Sequence, residues 1–368
     1  MSEFYIGVMS GTSLDGIDIV LCEIKENSFE LLHEASYPFD AELKETVLDA
    51  IGTSVTLKKL GELDTQLGEM YAYALEQFIS TKKIKRESIG AIGLHGQTVW
   101  HEPNGIYPFS MQLGNANVVA ARTGIRVVSD FRRKDIALGG QGAPFAPAFH
   151  NYIFSRLEGN IAVLNIGGMA NLSILSDELK GYDTGCGNVL MDYWIAKHNG
   201  NPYDEDGAWA KSGTPNRELL KELLKEPYFS KEPPKSTGRE LFNSTWLQKQ
   251  LESFAWKNRN SFYVKARDIQ ATLLELTAIS IANEVKKTPT TLLITCGGGA
   301  QNGYLMQRLQ EELDGVTIVS SDECGVSSKY MEAMAFAWLA HERIHKKCVK
   351  ISSVTGALKD SILGAIYE

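Results

Sequence analysis

A chain of 368 residues is longer than the size at which one hydrophobic core keeps growing, so two domains are expected. Its 43% hydrophobic and 22% charged residues fit a globular protein, and a net charge of −8 argues against a phosphate-backbone partner, which removes nucleic acid. Five cysteines without CxxC spacing argue against a disulfide framework or a structural zinc site, and no apolar run approaches the 18 residues of a membrane span.

The N-terminal MSEFYIGVMSGTSLDGID lacks the basic start and apolar stretch of a secretory leader, so the expected compartment is the cytoplasm. Tyr5 to Met9 and Ile17 to Ile24 are apolar runs joined by a tight polar turn, which predicts a β-hairpin with the loop GTSLDG. Leu60, Leu63, Leu67, Met70, Ala74, Leu75 and Phe78 recur at helical spacing and predict a long amphipathic helix before the strand-like AIGLHG at 91 to 96. The hairpin shape returns at 161 to 175, where IAVLN and NLSIL flank IGGMA, which suggests two domains of related topology. The stretch from Asp204 to Glu240, with prolines in or near it, reads as an insertion over the site with one short helix near 216 to 225. Ile269, Leu273, Leu276, Ile279 and Ala282 mark a further helix, then come the strand TLLITC at 291 to 296 and a helix opening after Gln301. Strands alternating with helices in both halves predict an α/β fold.

Three glycine-rich turns carry the chemistry: SGTSLDGID at 10 to 18, GYDTGCGN at 181 to 188 and TCGGGAQNG at 295 to 303. Such turns let backbone N–H groups converge on an anion. The first supplies Gly11 and Gly16, the hydroxyls of Thr12 and Ser13, and the carboxylates of Asp15 and Asp18; the bland alternative is a hairpin loop with capping residues. In the second, Asp183 precedes a glycine turn whose N–H groups from 184 to 188 could hold an anion while the carboxylate acts as a general base, or Asp183 could simply close an Asx turn. The third follows a strand and precedes a helix, so its glycines could approach a nucleotide, or serve only as a tight connection. GxxxxGK[ST] is absent, which removes the P-loop class. GLHGQTVWHEP at 93 to 103 offers His95, Gln97, Thr98 and His101 after a strand, in hydrogen-bonding rather than metal-binding roles. DFRRKDIALGGQGAPFAPAFH at 130 to 150 places Arg132, Arg133 and Lys134 beside another glycine cluster, as a solvated face or as an anion site.

MSGTSLDGID, GLHGQTVWHEP, DFRRKDIALGGQGAPFAPAFH, NIGGMANLS, GYDTGCGN, PPKSTGREL, CGGGAQN and MEAMAFAW occur in this order, and the chain resembles the anhydro-N-acetylmuramic acid kinase family from end to end. The resemblance implies membership in the superfamily of sugar kinases, actin and heat-shock-chaperone ATPases. The implied fold is two duplicated actin-like (ribonuclease H-like) α/β domains with a nucleotide cleft between them. Residues 1–135 with 340–368 would form the first domain, and 136–339 the second.

The implied reaction is ATP-dependent conversion of 1,6-anhydro-N-acetylmuramic acid and water to N-acetylmuramic acid 6-phosphate and ADP, in peptidoglycan recycling. Asp183 matches the catalytic aspartate. Gly11, Thr12, Ser13, Leu14, Asp15, Gly16, Ile17 and Asp18, with Gly185, Gly187, Asn188, Gly297, Gly298 and Gly299, match the ATP-binding turns. Asp15 or Asp18 would position Mg2+ through water. Gln97, Thr98, Arg132 and Glu332 match positions that face the sugar, with Arg132 either meeting the lactyl carboxylate or orienting Asp183. The family also implies a homodimer. The alternatives are an ordinary hydroxyl kinase for another amino sugar and an ATP-gated binding module without turnover.

Overall fold

The computed structural model describes residues 3–11, 14, 16–26, 28–176, 178–257 and 264–368. Its strands are β1 Glu3–Ser10, β2 Gly16–Lys25, β3 Ser28–Pro38, β4 Ile89–Leu94, β5 Gln97–Glu102, β6 Phe109–Leu113, β7 Val127–Ser129, β8 Ile161–Ile166, β9 Met169–Leu175, β10 Lys180–Cys186, β11 Leu292–Cys296, β12 Thr317–Ser320 and β13 Ala365–Tyr367. The chain divides into two compact units, Met1–Ile153 with Tyr330–Glu368, and Phe154–Lys329.

The first unit holds a sheet of order β13-β7-β4-β1-β2-β3. β1, β2 and β3 form an antiparallel meander, while β4 joins β1 in parallel and β7 joins β4 in parallel. Tyr5, Ile6, Val8, Ala91, Ile92 and Leu94 are buried, as expected of central strands covered on both faces. β3 lies at the edge and carries Glu30, His33 and Glu34 into solvent, which blunts edge-to-edge pairing. The helix Leu57–Thr81 presents Leu63, Leu67, Tyr71, Ala74, Leu75 and Phe78 as a buried stripe, and its N-cap Thr56 accepts from the Lys59 N–H.

The second unit repeats the plan with the order β10-β9-β8-β11-β12: an antiparallel meander of three strands, then β11 parallel to β8 and β12 parallel to β11. The shared order and sense of five strands make the α/β duplication a structural fact, matching the repeated hairpin legible in the sequence. The helix Ala266–Val285 is buried nearly all round, so it is the core of this unit rather than an amphipathic cover.

Two assignments differ from the sequence expectation. The unit boundaries fall at 153/154 and 329/330 instead of 135/136 and 339/340, because the helix Met331–Ile344 lies directly on β1 and β4. A Cβ at Gly7 would stand 1.9 Å from the Ala333 carbonyl oxygen, and one at Gly93 would stand 2.0 Å from that of Phe336. Glycine at both positions is what lets the helix backbone approach the sheet. Residues 204–240 are also less of an appendage than their prolines suggest. They form the helices Ala208–Lys211 and Arg217–Leu223 and bury Ala210, Leu219, Leu220, Leu223 and Tyr228 in the core of the second unit.

Candidate functional site

In the second unit, Asp183 stands on β10 opposite Asn171 on β9, where the register shifts between Asp183 and Gly185. The Asn171 amide donates to Oδ1 of Asp183, and the Thr237 N–H donates to Oδ2 at 2.9 Å. Its backbone is fixed as well: the Asp183 N–H donates to the Lys235 carbonyl at 3.1 Å, and the Tyr228 hydroxyl donates to the Asp183 carbonyl at 2.8 Å. Beneath this frame, Lys235 Nζ meets Glu284 Oε1 at 2.7 Å with both side chains almost fully buried. Burial raises the Asp183 carboxyl above its ordinary value, opposed by the donors from Thr237, Asn171 and Ser236 and reinforced by the nearby Glu240. An oriented carboxylate with a raised proton affinity is suited to general-base work. These donors belong to NIGGMANLS and PPKSTGREL, blocks that sequence reasoning matched without assigning roles. Their polar residues beside strand and turn positions were the available signal.

In the turn at 185–188, expected to receive an anion, the backbone N–H groups of Gly187 and Asn188 are engaged within the protein. The N–H groups of Gly187 and Asn188 donate to the carbonyls of Gly168 and Gly167, at 2.9 and 2.8 Å, and Gly185 and Cys186 pair with β9. The turn therefore locks onto Gly167 and Gly168, the β8–β9 connection. The third turn joins the same cluster: a Cβ at Gly297 would meet Asn165 Oδ1 at 2.3 Å, and one at Gly299 would meet Ile166 and Asn188. Gly297 to Gly299 do not open directly into a long helix. A 3-10 turn spans Gly298–Gln301, and the helix Gly303–Glu312 starts after Asn302, whose side chain caps the Leu305 N–H. Around Gly298 nothing lies within 4 Å of a Cβ position, so its backbone is open, and Gly168 is exposed although its carbonyl is engaged.

In the first unit, Thr12, Ser13 and Asp15 lie outside the described residues. Ser10 begins the loop, and its hydroxyl is 2.6 Å from that of Tyr71 and donates to Gln97 Oε1 at 2.9 Å. Gln97 is fully buried and holds Ser10. Leu14 donates its N–H to the Gly11 carbonyl, sits at φ 53° and is buried with Ile17, so both side chains belong to the core and only their backbone faces the loop. Gly16 and Asp18 open β2; Asp18 is half-buried and accepts from the Ser36 hydroxyl at 2.5 Å. Thr98 accepts from Gln112 at 3.1 Å.

Arg132 is the inward member of the basic trio, whereas Arg133 and Lys134 are exposed. Its Nη1 donates to the Gly142 carbonyl at 2.7 Å, its Nη2 lies 2.8 Å from His95 Nε2, and its guanidinium stands 5.0 Å from the centre of the Phe145 ring. Because arginine only donates, His95 accepts at Nε2 and carries its proton on Nδ1. Burial, then the Arg132 charge, pushes the His95 pKa well down, which keeps the ring neutral. Burial also lowers Arg132 to about 10, with Glu332 opposing. Asp135, which sequence reasoning passed over, accepts from the Gly142 N–H and the Thr355 hydroxyl and so fixes the glycine cluster behind Arg132. Glu332, in the first turn of the helix Met331–Ile344, keeps accessible surface, yet the surrounding protein raises its carboxyl, with Arg132 opposing and Asp18 adding to the rise.

The first unit thus gathers a partly buried arginine, a neutral histidine and two carboxylates; the second holds a carboxylate framed by donors and a glycine cluster. A sequence model described as anhydro-N-acetylmuramic acid kinase matches residues 3–368. The chain is 73% identical over 368 residues to the anhydro-N-acetylmuramic acid kinase of Sulfurimonas denitrificans, covering 100% of both chains. It is 50% identical to that of Sulfurovum sp., with 99% of each covered, and 49% identical to that of Photobacterium profundum, with 99% of this chain and 98% of that one covered. The chain belongs to the anhydro-N-acetylmuramic acid kinase family and is a kinase.

Proposed function

We propose that the protein uses ATP and water to convert 1,6-anhydro-N-acetylmuramic acid to N-acetylmuramic acid 6-phosphate and ADP, serving peptidoglycan recycling. The observation that carries this reading is the Asp183 carboxylate, held by the Asn171 amide and the Thr237 N–H and raised by burial. Asp183 takes a proton from water as the water oxygen forms a bond to C1 of the sugar. The C1–O6 bond breaks, its electron pair stays on O6, and O6 bonds to the γ-phosphorus of ATP while ADP leaves. A glycosidase requires an acid to protonate the departing oxygen. Here phosphorus accepts that electron pair, so one carboxylate is enough.

Arg132, a half-buried cation whose pKa burial lowers, suits the lactyl carboxylate of the sugar. Thr98 and Glu332 are assigned to sugar hydroxyls. The open backbone at Gly298 and the exposed Gly168 are assigned to the nucleotide, and the Gly11–Asp18 loop to its phosphates. Asp18 offers the hard oxygen that Mg2+ takes and, with Asp15, would hold the ion through water. Bound magnesium neutralises charge on the phosphate oxygens.

The test is the reaction in water enriched in heavy oxygen, with the product analysed by mass spectrometry. One label per molecule at C1 is expected. A phosphorylated sugar without label at C1 would mean that a pre-existing hydroxyl was phosphorylated, and the assignment of Asp183 to water would fall.

A further inference from the structure

We propose that the first unit carries a transition-metal site at the end of its sheet remote from Asp18 and Glu332, built by Glu3, His341 and His345. One ligand atom from each lies within 4.8 Å of those of the others. Glu3 opens β1, and the two histidines stand one turn apart at the end of the helix Met331–Ile344, with ring centroids 4.4 Å apart. His341 lies nine residues beyond Glu332, about 13 Å along the helix axis. His345 Nε2 is 2.9 Å from Glu3 Oε2.

An ordinary surface ion pair between Glu3 and His345 would account for two of these groups, but not for the buried His341 beside them. Each of the inner groups also has an outer partner. The Tyr5 hydroxyl donates to Glu3 Oε2 at 2.7 Å, and Glu342 Oε1 accepts from His341 Nδ1 at 2.9 Å. A carboxylate on Nδ1 fixes the tautomer and leaves Nε2 with its lone pair, the support that metal-bound histidines commonly have. Two imidazoles and one carboxylate favour Zn2+, Ni2+ or Cu2+ over Mg2+, which prefers oxygen donors and octahedral geometry. Tetrahedral bonds near 2.0 Å need ligand atoms about 3.3 Å apart, and rotation of the part-exposed Glu3 and His345 side chains closes the gap. The accessible side leaves the fourth position to water.

Metal-free full-length protein, titrated calorimetrically with Zn2+ in the absence of nucleotide, should bind one ion per chain. H345A and E3A, both at part-exposed positions, should each weaken binding at least tenfold, and E342Q should weaken it by about 10–100-fold. Co2+ should give the visible bands of a tetrahedral site in the parent chain and lose them in H345A. Absence of binding at micromolar Zn2+, or equal affinity in the parent, H345A and E3A, would overturn the site.

Discussion

Asn171 on β9 faces Asp183 on β10 across an antiparallel pair, and its amide and the Thr237 N–H engage the two carboxylate oxygens separately. The carboxylate is therefore fixed in plane before any substrate arrives. A group oriented in this way should act mainly in the transition state. Asp183→Asn keeps the shape of the side chain and removes the base, so kcat should fall by about 10²–10⁴-fold or more while sugar and ATP affinities change little. Rapid-quench turnover and equilibrium titration of each ligand check the split. Parallel losses of binding and rate would point to a structural role.

The pH dependence follows from the same contacts. Under the proposed reaction the ionised form of Asp183 is the working base, and burial raises its pKa above the ordinary 3.8. kcat/KM should therefore decline as pH falls through that raised value, on a limb displaced upward from that of an ordinary aspartate. Asn171→Ala removes a donor that favours the carboxylate, so the limb should move to higher pH. An unchanged acid limb in N171A would show that Asn171 does not set the protonation of the base.

Both hairpins were legible in the sequence because apolar runs flanked glycine turns, and the helix Leu57–Thr81 was legible because its stripe repeats at helical spacing. Asp183 stood out for the same reason, as a lone carboxylate before a turn. Its partners did not, since Asn171 and Thr237 are 12 and 54 residues away and only strand pairing and a loop bring them in. The expected boundary at 339/340 cuts through the helix Met331–Ile344, because the contacts that assign it whole to the first unit, Gly7 and Gly93, are remote in sequence. Prolines between 202 and 234 masked a segment whose leucines are core. The glycines of 185–188 pointed to an anion, whereas their N–H groups serve the neighbouring turn.

Lys235 and Glu284 form an ion pair with 1% and 2% side-chain exposure, directly behind the loop that meets Asp183. Breaking a buried pair from one side leaves an uncompensated charge, which costs about 3–5 kcal/mol, here toward the low end because Lys287 also lies 3.1 Å from Glu284. Lys235→Met should lower the unfolding free energy measured by urea titration by that amount and reduce kcat by loosening the backbone at 235, whose carbonyl holds the Asp183 N–H. Adding Glu284→Leu should recover much of the stability. A double variant no more stable than the single one would show that packing, rather than charge, is what Lys235 supplies.

Adjacent glycines in the third turn should separate fold from nucleotide binding. Gly297 holds φ 80°, and a Cβ there would stand 2.3 Å from Asn165 Oδ1, so Gly297→Ala combines backbone strain with a clash. It should destabilise the second unit by about 1–3 kcal/mol, seen as a lower unfolding temperature. Gly298 has nothing within 4 Å of its Cβ position, so Gly298→Ala should leave the unfolding temperature unchanged. If its open backbone is what receives the nucleotide, the added methyl should still raise the KM for ATP, with the KM for the sugar little affected. Parent-like ATP kinetics in G298A would remove this turn from the nucleotide site, whatever the behaviour of G297A.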